Sequence, residues 1–163
     1  MHLKEIRLRN FRNYIDENIQ FHPKINWIFG DNAQGKTNLV EAIYLLMKGI
    51  SFRGNKEDWL KFQENHCYIQ GIFEEKGREF EVELNLSQNE NKKISINKEI
   101  IKKRSDILKL FHCVIFSPED LRLVKDGPHL RRKYIDYFIQ SVMPEYEKII
   151  KEEDEKTVMS YFL

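Results

Sequence analysis

Residues 30–37 read Gly30, Asp31, Asn32, Ala33, Gln34, Gly35, Lys36 and Thr37, which fits the pattern G-x-x-x-x-G-K-[ST]. Each type in that spacing has a task in holding a phosphate chain. Gly30 and Gly35 admit backbone angles and close approaches that a Cβ would block. The loop can then aim successive N–H groups inward at an anion, helped by the positive end of a following helix. Lys36 supplies a compact charge that reaches the β- and γ-phosphates. Thr37 offers a hydroxyl to Mg²⁺, a hard cation that prefers oxygen. Four constrained positions arise by chance in about 0.2–0.5% of chains this long. The flanks strengthen the match. Residues 25–29 (Ile-Asn-Trp-Ile-Phe) form a short, mostly apolar run, and Leu39, Val40, Ile43, Leu46 and Met47 follow at 3.6-residue spacing up to Gly49. The motif is therefore expected between a buried strand and an amphipathic helix that closes at Gly49.

Other residues carry weaker chemical meaning. Arg131, Arg132 and Lys133, with Lys102, Lys103 and Arg104, lie in a span (101–133) holding nine basic and four acidic residues, a local +5. That is a candidate DNA-facing patch. Without interleaved aromatics it would contact the phosphate backbone rather than read bases. His66 with Cys67 and His112 with Cys113 match no common zinc spacing, and strand burial accounts for the cysteines. No Ser/His/Asp arrangement is legible along the chain.

The elements that must position the loop follow from periodicity. Ile6 and Leu8 alternate with Arg7 and Arg9, and Ile19 and Phe21 flank Gln20, as in half-buried strands. A further meander is expected at about 66–100. One strand runs through Ile69 and Phe73 and a second through Phe80, Val82, Leu84 and Leu86, joined by a turn at Glu75, Lys76 and Gly77. A third piece carries Ile94 and Ile96, with a turn near Asn97. A helix capped by Ser105 and a buried strand at Val114, Ile115 and Phe116 come next. From Pro128 a helix restarts with an apolar face of Leu130, Tyr134, Ile135, Phe138 and Ile139. Residues 145–156 hold six acids and three lysines, the composition of a solvated helix. The fold class is α/β: a P-loop core sheet in residues 1–127, flanked by the antiparallel meander, then the helical start of a second lobe over 128–163.

Bulk composition narrows the function classes. At 163 residues, 41% hydrophobic and 12% aromatic, the chain can build a core. Charged residues reach 33% but cancel to +1, so a charged partner must be met by a local patch. Two cysteines fit a reducing compartment, and no secretion signal or span of about 20 apolar residues is present. A cytoplasmic protein without a membrane partner is expected.

With these motifs in place, the chain resembles the bacterial RecF family, in the SMC-like branch of ABC-type ATPases. The resemblance rests on Leu8 to Tyr14 (Leu-Arg-Asn-Phe-Arg-Asn-Tyr), on the loop with Asn32, Ala33 and Gln34 between its glycines, and on Ser51, Phe52 and Arg53. It extends through Phe116 to Leu121 with Val124 and Lys125, and through Arg131, Arg132 and Lys133 with Asp136. It covers about residues 1–150. It implies a slow ATPase that binds ATP with Mg²⁺ and single-stranded or gapped DNA. Such a protein would act with recombination-mediator proteins in repair and the SOS response, and would dimerise on ATP. By the same resemblance, Arg12 and Asn13 would lie beside the nucleotide. The element that usually supplies a coordinating glutamine would fall at Ser117 to Asp120, where no glutamine stands and Glu119 is the candidate.

An apolar strand ending in Asp-Glu or Asp-Asp, which orients magnesium and water, is not found, nor is a serine-glycine signature. Leu86, Ser87 and Gln88 lack the glycine, and Glu119 and Asp120 follow Val114, Ile115 and Phe116 at the wrong offset with Pro118 between. The expectation is the N-terminal half of a RecF-like ATPase that binds nucleotide weakly and does not turn it over at a useful rate. The competing readings are a non-catalytic DNA- or protein-interaction module and, less well matched, a small P-loop kinase or GTPase. The latter would need its own acidic magnesium motif.

Overall fold

Strand alternation in the first twenty residues produces a hairpin. β1 (His2–Phe11) and β2 (Tyr14–Gln20) pair antiparallel, with Ile6 opposite Ile19 and Phe11 opposite Tyr14. The computed structural model describes residues 1–88 and 90–117, with Pro128, Arg132, Tyr134, Ile135, Asp136, Phe138, Ile139, Met143 and Tyr146 beyond them. The chain clusters into two compact units, Met1–Ile107 and Leu108–Leu163.

In the first unit the hairpin continues into β3 (His66–Glu75), β4 (Arg78–Ser87), β5 (Lys93–Ile96) and β6 (Glu99–Ile100). They form one antiparallel sheet in the order β2-β1-β3-β4-β5-β6. Two tight turns fix the registers. Lys76 and Gly77 have φ of 50° and 76°, and Asn97 and Lys98 have 49° and 71°. These left-handed pairs match the right-handed twist of the strands they join. One sheet face buries Ile6, Leu8, Ile69, Phe73, Val82, Leu84 and Leu86. The helix α1 (Lys36–Lys48) adds Leu39, Ala42, Leu45 and Leu46 to the core. It contacts β3 and β4. The approach is close at Gly71, where an added Cβ would stand 2.7 Å from Leu46 Cδ1 and 2.9 Å from Phe73 Cε2. α1 ends as its sequence implies: Gly49, at φ 69°, donates its N–H to the Leu45 carbonyl at 2.8 Å.

Several expectations need correction. Residues 25–29 form no strand, and Ile25, Trp27 and Phe29 are 68%, 87% and 90% exposed. Val114, Ile115 and Phe116 likewise form none, with Val114 99% exposed. A buried strand exists only where ladders flank it on both sides, and no described strand pairs with either run. The antiparallel meander forms as expected, and it joins the β1–β2 hairpin in one sheet because β1 takes β3 as its second neighbour. Residues 56–59 fold as a 3₁₀ turn, Lys56–Trp59. The helix α2 (Arg104–Leu110) begins one residue before Ser105, so Ser105 sits in its first turn instead of capping it.

In the second unit, Pro128, Arg132, Tyr134, Ile135, Asp136, Phe138 and Ile139 are helical, as their period implies. Yet Tyr134, Ile135 and Phe138 each expose more than half their surface. Periodicity defines an apolar stripe; what packs against the stripe decides burial. Tyr146 donates its hydroxyl to Asp136 Oδ1 at 3.3 Å. Among the described residues, no helix is long and apolar enough to cross a membrane.

Candidate phosphate site

The loop of residues 30–35 is shaped by backbone angles that ordinary side chains avoid. Gly30, Ala33 and Gly35 have φ of 143°, 66° and 100°. Gly35 is the residue from which α1 springs, and its carbonyl accepts the first helical bond from Leu39 N at 2.9 Å. The first turn's remaining N–H groups have no partner within the helix, so they and the helix dipole present positive charge at this end. Lys36 folds back over the loop, and Nζ donates to the Gly30 carbonyl at 2.8 Å and the Asp31 carbonyl at 2.5 Å. Asp31, Asn32, Ala33, Gln34 and Thr37 are solvent-exposed. One ammonium, a helix start and the exposed Thr37 therefore lie together at one end of α1. That donor set suits a phosphate chain and an oxygen-seeking cation.

The β1–β2 turn buttresses the loop. Asn13 Nδ2 donates to the Gln34 carbonyl at 3.2 Å and the Tyr14 hydroxyl donates to the Gly35 carbonyl at 3.1 Å. Burial, followed by the nearby Glu17 charge, raises the Tyr14 pKa and keeps that phenol a proton donor. A Cβ on Gly35 would lie 2.6 Å from Asn13 Nδ2 and 2.7 Å from Oδ1. The second loop glycine is thus required for its φ and for the side chain pressed against it.

Behind Asn13 lies a carboxylate. Glu41, on α1, is 0% exposed. It accepts a bidentate pair from Arg12, Nε at 3.0 Å and Nη2 at 2.8 Å, together with Arg53 Nε at 3.2 Å and Ser51 Oγ at 2.5 Å. Arg53 also donates to Asn38 Oδ1, and Asn38 Nδ2 donates to Asn13 Oδ1 at 2.6 Å. Arg12 therefore meets the loop through other side chains, whereas Asn13 touches it directly. Arg12 itself has φ 54°, fixed by its N–H bond to the Trp59 carbonyl at 2.8 Å.

Sequence reasoning did not single out Glu41, Asn38 or a role for Arg53. One signal was available: Glu41 shares a helical face with Leu45 and Lys48, at i, i+4 and i+7, and a carboxylate among buried positions demands cationic partners. Of the basic candidates, Lys102 and Lys103 are exposed and Arg132 is an exposed helical residue. Arg104 spends its Nε on the Lys48 carbonyl at the end of α1, at 3.0 Å. Arg131, Lys133 and Glu119 lie outside the described residues.

Three comparisons with known proteins show what this chain is similar to in sequence and fold. The model of the RecF/RecN/SMC N terminal domain matches residues 2–122. A DNA replication and repair protein RecF from Clostridioides difficile (strain 630) is 44% identical over 151 residues, which is 92% of this chain and 40% of that protein. The RecF of Thermoanaerobacter sp. (strain X514) is also 44% identical, over 90% of this chain and 41% of its own. The chain thus spans about two fifths of these relatives' length. Among solved structures, the recombination mediator protein RecF-ATP in the RecFOR pathway superposes with a TM-score of 0.86 at 40% identity, covering 94% of this chain and 42% of that one. A solved SMC ATPase structure, at 18% identity and a TM-score of 0.67 over 83% of this chain and 98% of its own, shares the fold.

Proposed function

This chain belongs to the RecF/RecN/SMC N-terminal domain family, and from that premise we propose that it is the ATP-binding portion of a RecF-like DNA replication and repair protein. One observation carries the reading: a loop bent by left-handed Gly30 and Gly35 opens directly onto α1, with Lys36 arched over it and Asn13 and Tyr14 bracing it. Residues 30–37 would hold the phosphates, Thr37 would face Mg²⁺, and Asn13 would stand at the loop's edge. The cation, when bound, offsets phosphate charge. The chain's own part is to bind and orient.

Turnover needs a carboxylate that positions water opposite the γ-phosphate, and no apolar run in this sequence leads into Asp-Glu or Asp-Asp. We expect nucleotide binding with little hydrolysis by this chain. In a RecF-like protein the bound ATP would promote dimerisation and contact with single-stranded or gapped DNA alongside recombination-mediator proteins. The exposed Lys102, Lys103 and Arg132, with Arg131 and Lys133, would supply backbone contacts. The test is thermal: ATP with Mg²⁺ should raise the melting temperature of the purified chain, and Lys36→Met should abolish the rise. Robust Mg²⁺-dependent turnover by this chain alone would overturn the hydrolysis half of the proposal. An equal rise in the variant would overturn the binding half.

A further inference from the structure

We propose that Glu41 is the positioning residue of the phosphate site, acting through Arg53, Asn38 and Asn13 on the loop; this rests on the nucleotide-binding reading above. The carboxylate is fully buried and accepts hydrogen bonds from Arg12, Arg53 and Ser51, all of which lie outside residues 30–37. Burying a carboxylate costs several hydrogen bonds' worth of hydration unless cations replace it, and two guanidiniums do. The arrangement does more than satisfy the charge. Arg12 is 19% exposed and Arg53 is 39% exposed, so both are anchored at one end with part of each left near the surface.

From Arg53 the chain of donors runs outward. Arg53 donates to Asn38 Oδ1, leaving Asn38 Nδ2 to donate to Asn13 Oδ1. Asn13 in turn presents Nδ2 to the Gln34 carbonyl. Each amide is thereby fixed in one flip state, because its oxygen and nitrogen have different neighbours. Reversing Asn38 would place its NH₂ against the Arg53 guanidinium, and reversing Asn13 would place oxygen against oxygen at Gln34. The buried charge thus sets the orientation of two amides, and the second of them braces the backbone beside Gly35. Arg12 closes the circuit, since it precedes Asn13 in the β1–β2 turn and is clamped bidentately by the same carboxylate.

The experiment uses the whole 163-residue chain, with Glu41→Gln and Arg53→Gln singly and together. Binding of ATP, ADP and AMP with Mg²⁺ is measured alongside amide hydrogen exchange at Gln34 and Gly35 without nucleotide. Losing a hydrogen bond to a charged group weakens an equilibrium by about 10–100-fold. ATP affinity should fall by that factor in either single variant, and AMP affinity by much less, since the loop grips the phosphate chain. The double variant should lose little more than the worse single one, as members of one network do. Gln34 and Gly35 amides should exchange at least about tenfold faster in Arg53→Gln. A purely structural carboxylate would weaken all three nucleotides alike. That outcome, or ATP affinity within twofold of the parent in Arg53→Gln, overturns the proposal. Should Glu41→Gln fail to fold, Arg53→Gln carries the test from its exposed position. Should the parent chain bind no ATP, the nucleotide reading fails, and the exchange rates still decide the positioning role.

Discussion

Replacing Gly35 with alanine separates the two reasons for a glycine at that point. The first is conformational: at φ 100° an L-residue with a Cβ is strained by about 1–2 kcal/mol. The second is spatial. The new Cβ would lie 2.6–2.7 Å from the Asn13 amide, which is the free end of a side chain and can swing away. Swinging away breaks its bonds to the Gln34 carbonyl and from Asn38, at 3.2 and 2.6 Å. At about 0.5–1.5 kcal/mol each, that adds about 1–3 kcal/mol. Gly35→Ala should therefore cost about 2–5 kcal/mol in all. In an Asn13→Ala background the spatial part is already gone, and the same substitution should cost only about 1–2 kcal/mol. The assay is the double-mutant cycle by urea unfolding. Melting temperatures give an independent check, at about 2–4 °C per kcal/mol for a chain of this size. Additivity to within about 0.5 kcal/mol would refute the claim that Asn13 presses on Gly35.

Three further perturbations follow from the same structure. Gly71→Ala places a methyl against Leu46 Cδ1 and Phe73 Cε2 inside the α1–sheet contact, so it should destabilise by about 1–3 kcal/mol, read by thermal melting. Leu46→Val on top of it should recover part of that loss. Burial pushes the Cys67 thiol from 9.0 up to about 12. Folding therefore retains a proton that the unfolded chain releases above pH 9, and stability should fall as pH rises from 9 towards 12, by at most about 1.4 kcal/mol per pH unit from this group. Cys67→Val should flatten that part of the curve, and Cys67 should resist thiol reagents in the native state near neutral pH. Finally, DNA binding through Lys102, Lys103 and Arg132 would weaken steeply with salt, and replacing all three by glutamine should make the log–log slope shallower by about 2–3; a salt-independent affinity would argue against backbone contact.

Local rules were legible in the sequence wherever neighbours along the chain decide the outcome. The Lys76-Gly77 turn, the Gly49 helix end and the loop glycines all follow from what φ a residue can adopt, which is a property of one position. Burial of β3 and β4 was legible because alternation reports a sheet with one apolar face. Residues 25–29 and 114–116 were misread for a reason of the same kind. Apolar runs show an appetite for burial, but a strand exists only when other strands supply its ladder, and that is settled elsewhere in the chain. Part of the site was likewise hidden. The motif announces its own eight residues, while Glu41, Asn38 and Arg53 are joined to it only by the packing of α1 against the β1–β2 turn. Their types carried the hint of a buried charge, but its partners become visible only in three dimensions.

The central question is whether residues 30–37 hold the phosphates of a nucleotide. The decisive measurement is an amide spectrum of the ¹⁵N-labelled chain titrated with Mg²⁺-ATP and, separately, with adenosine. ATP should shift the amides of Gly30 through Thr37 in a saturable manner, adenosine should leave them in place, and Lys36→Met should remove the ATP response while the rest of the spectrum stays folded. ATP binding that leaves those amides unmoved, or an unchanged response in the folded Lys36→Met chain, would contradict the account.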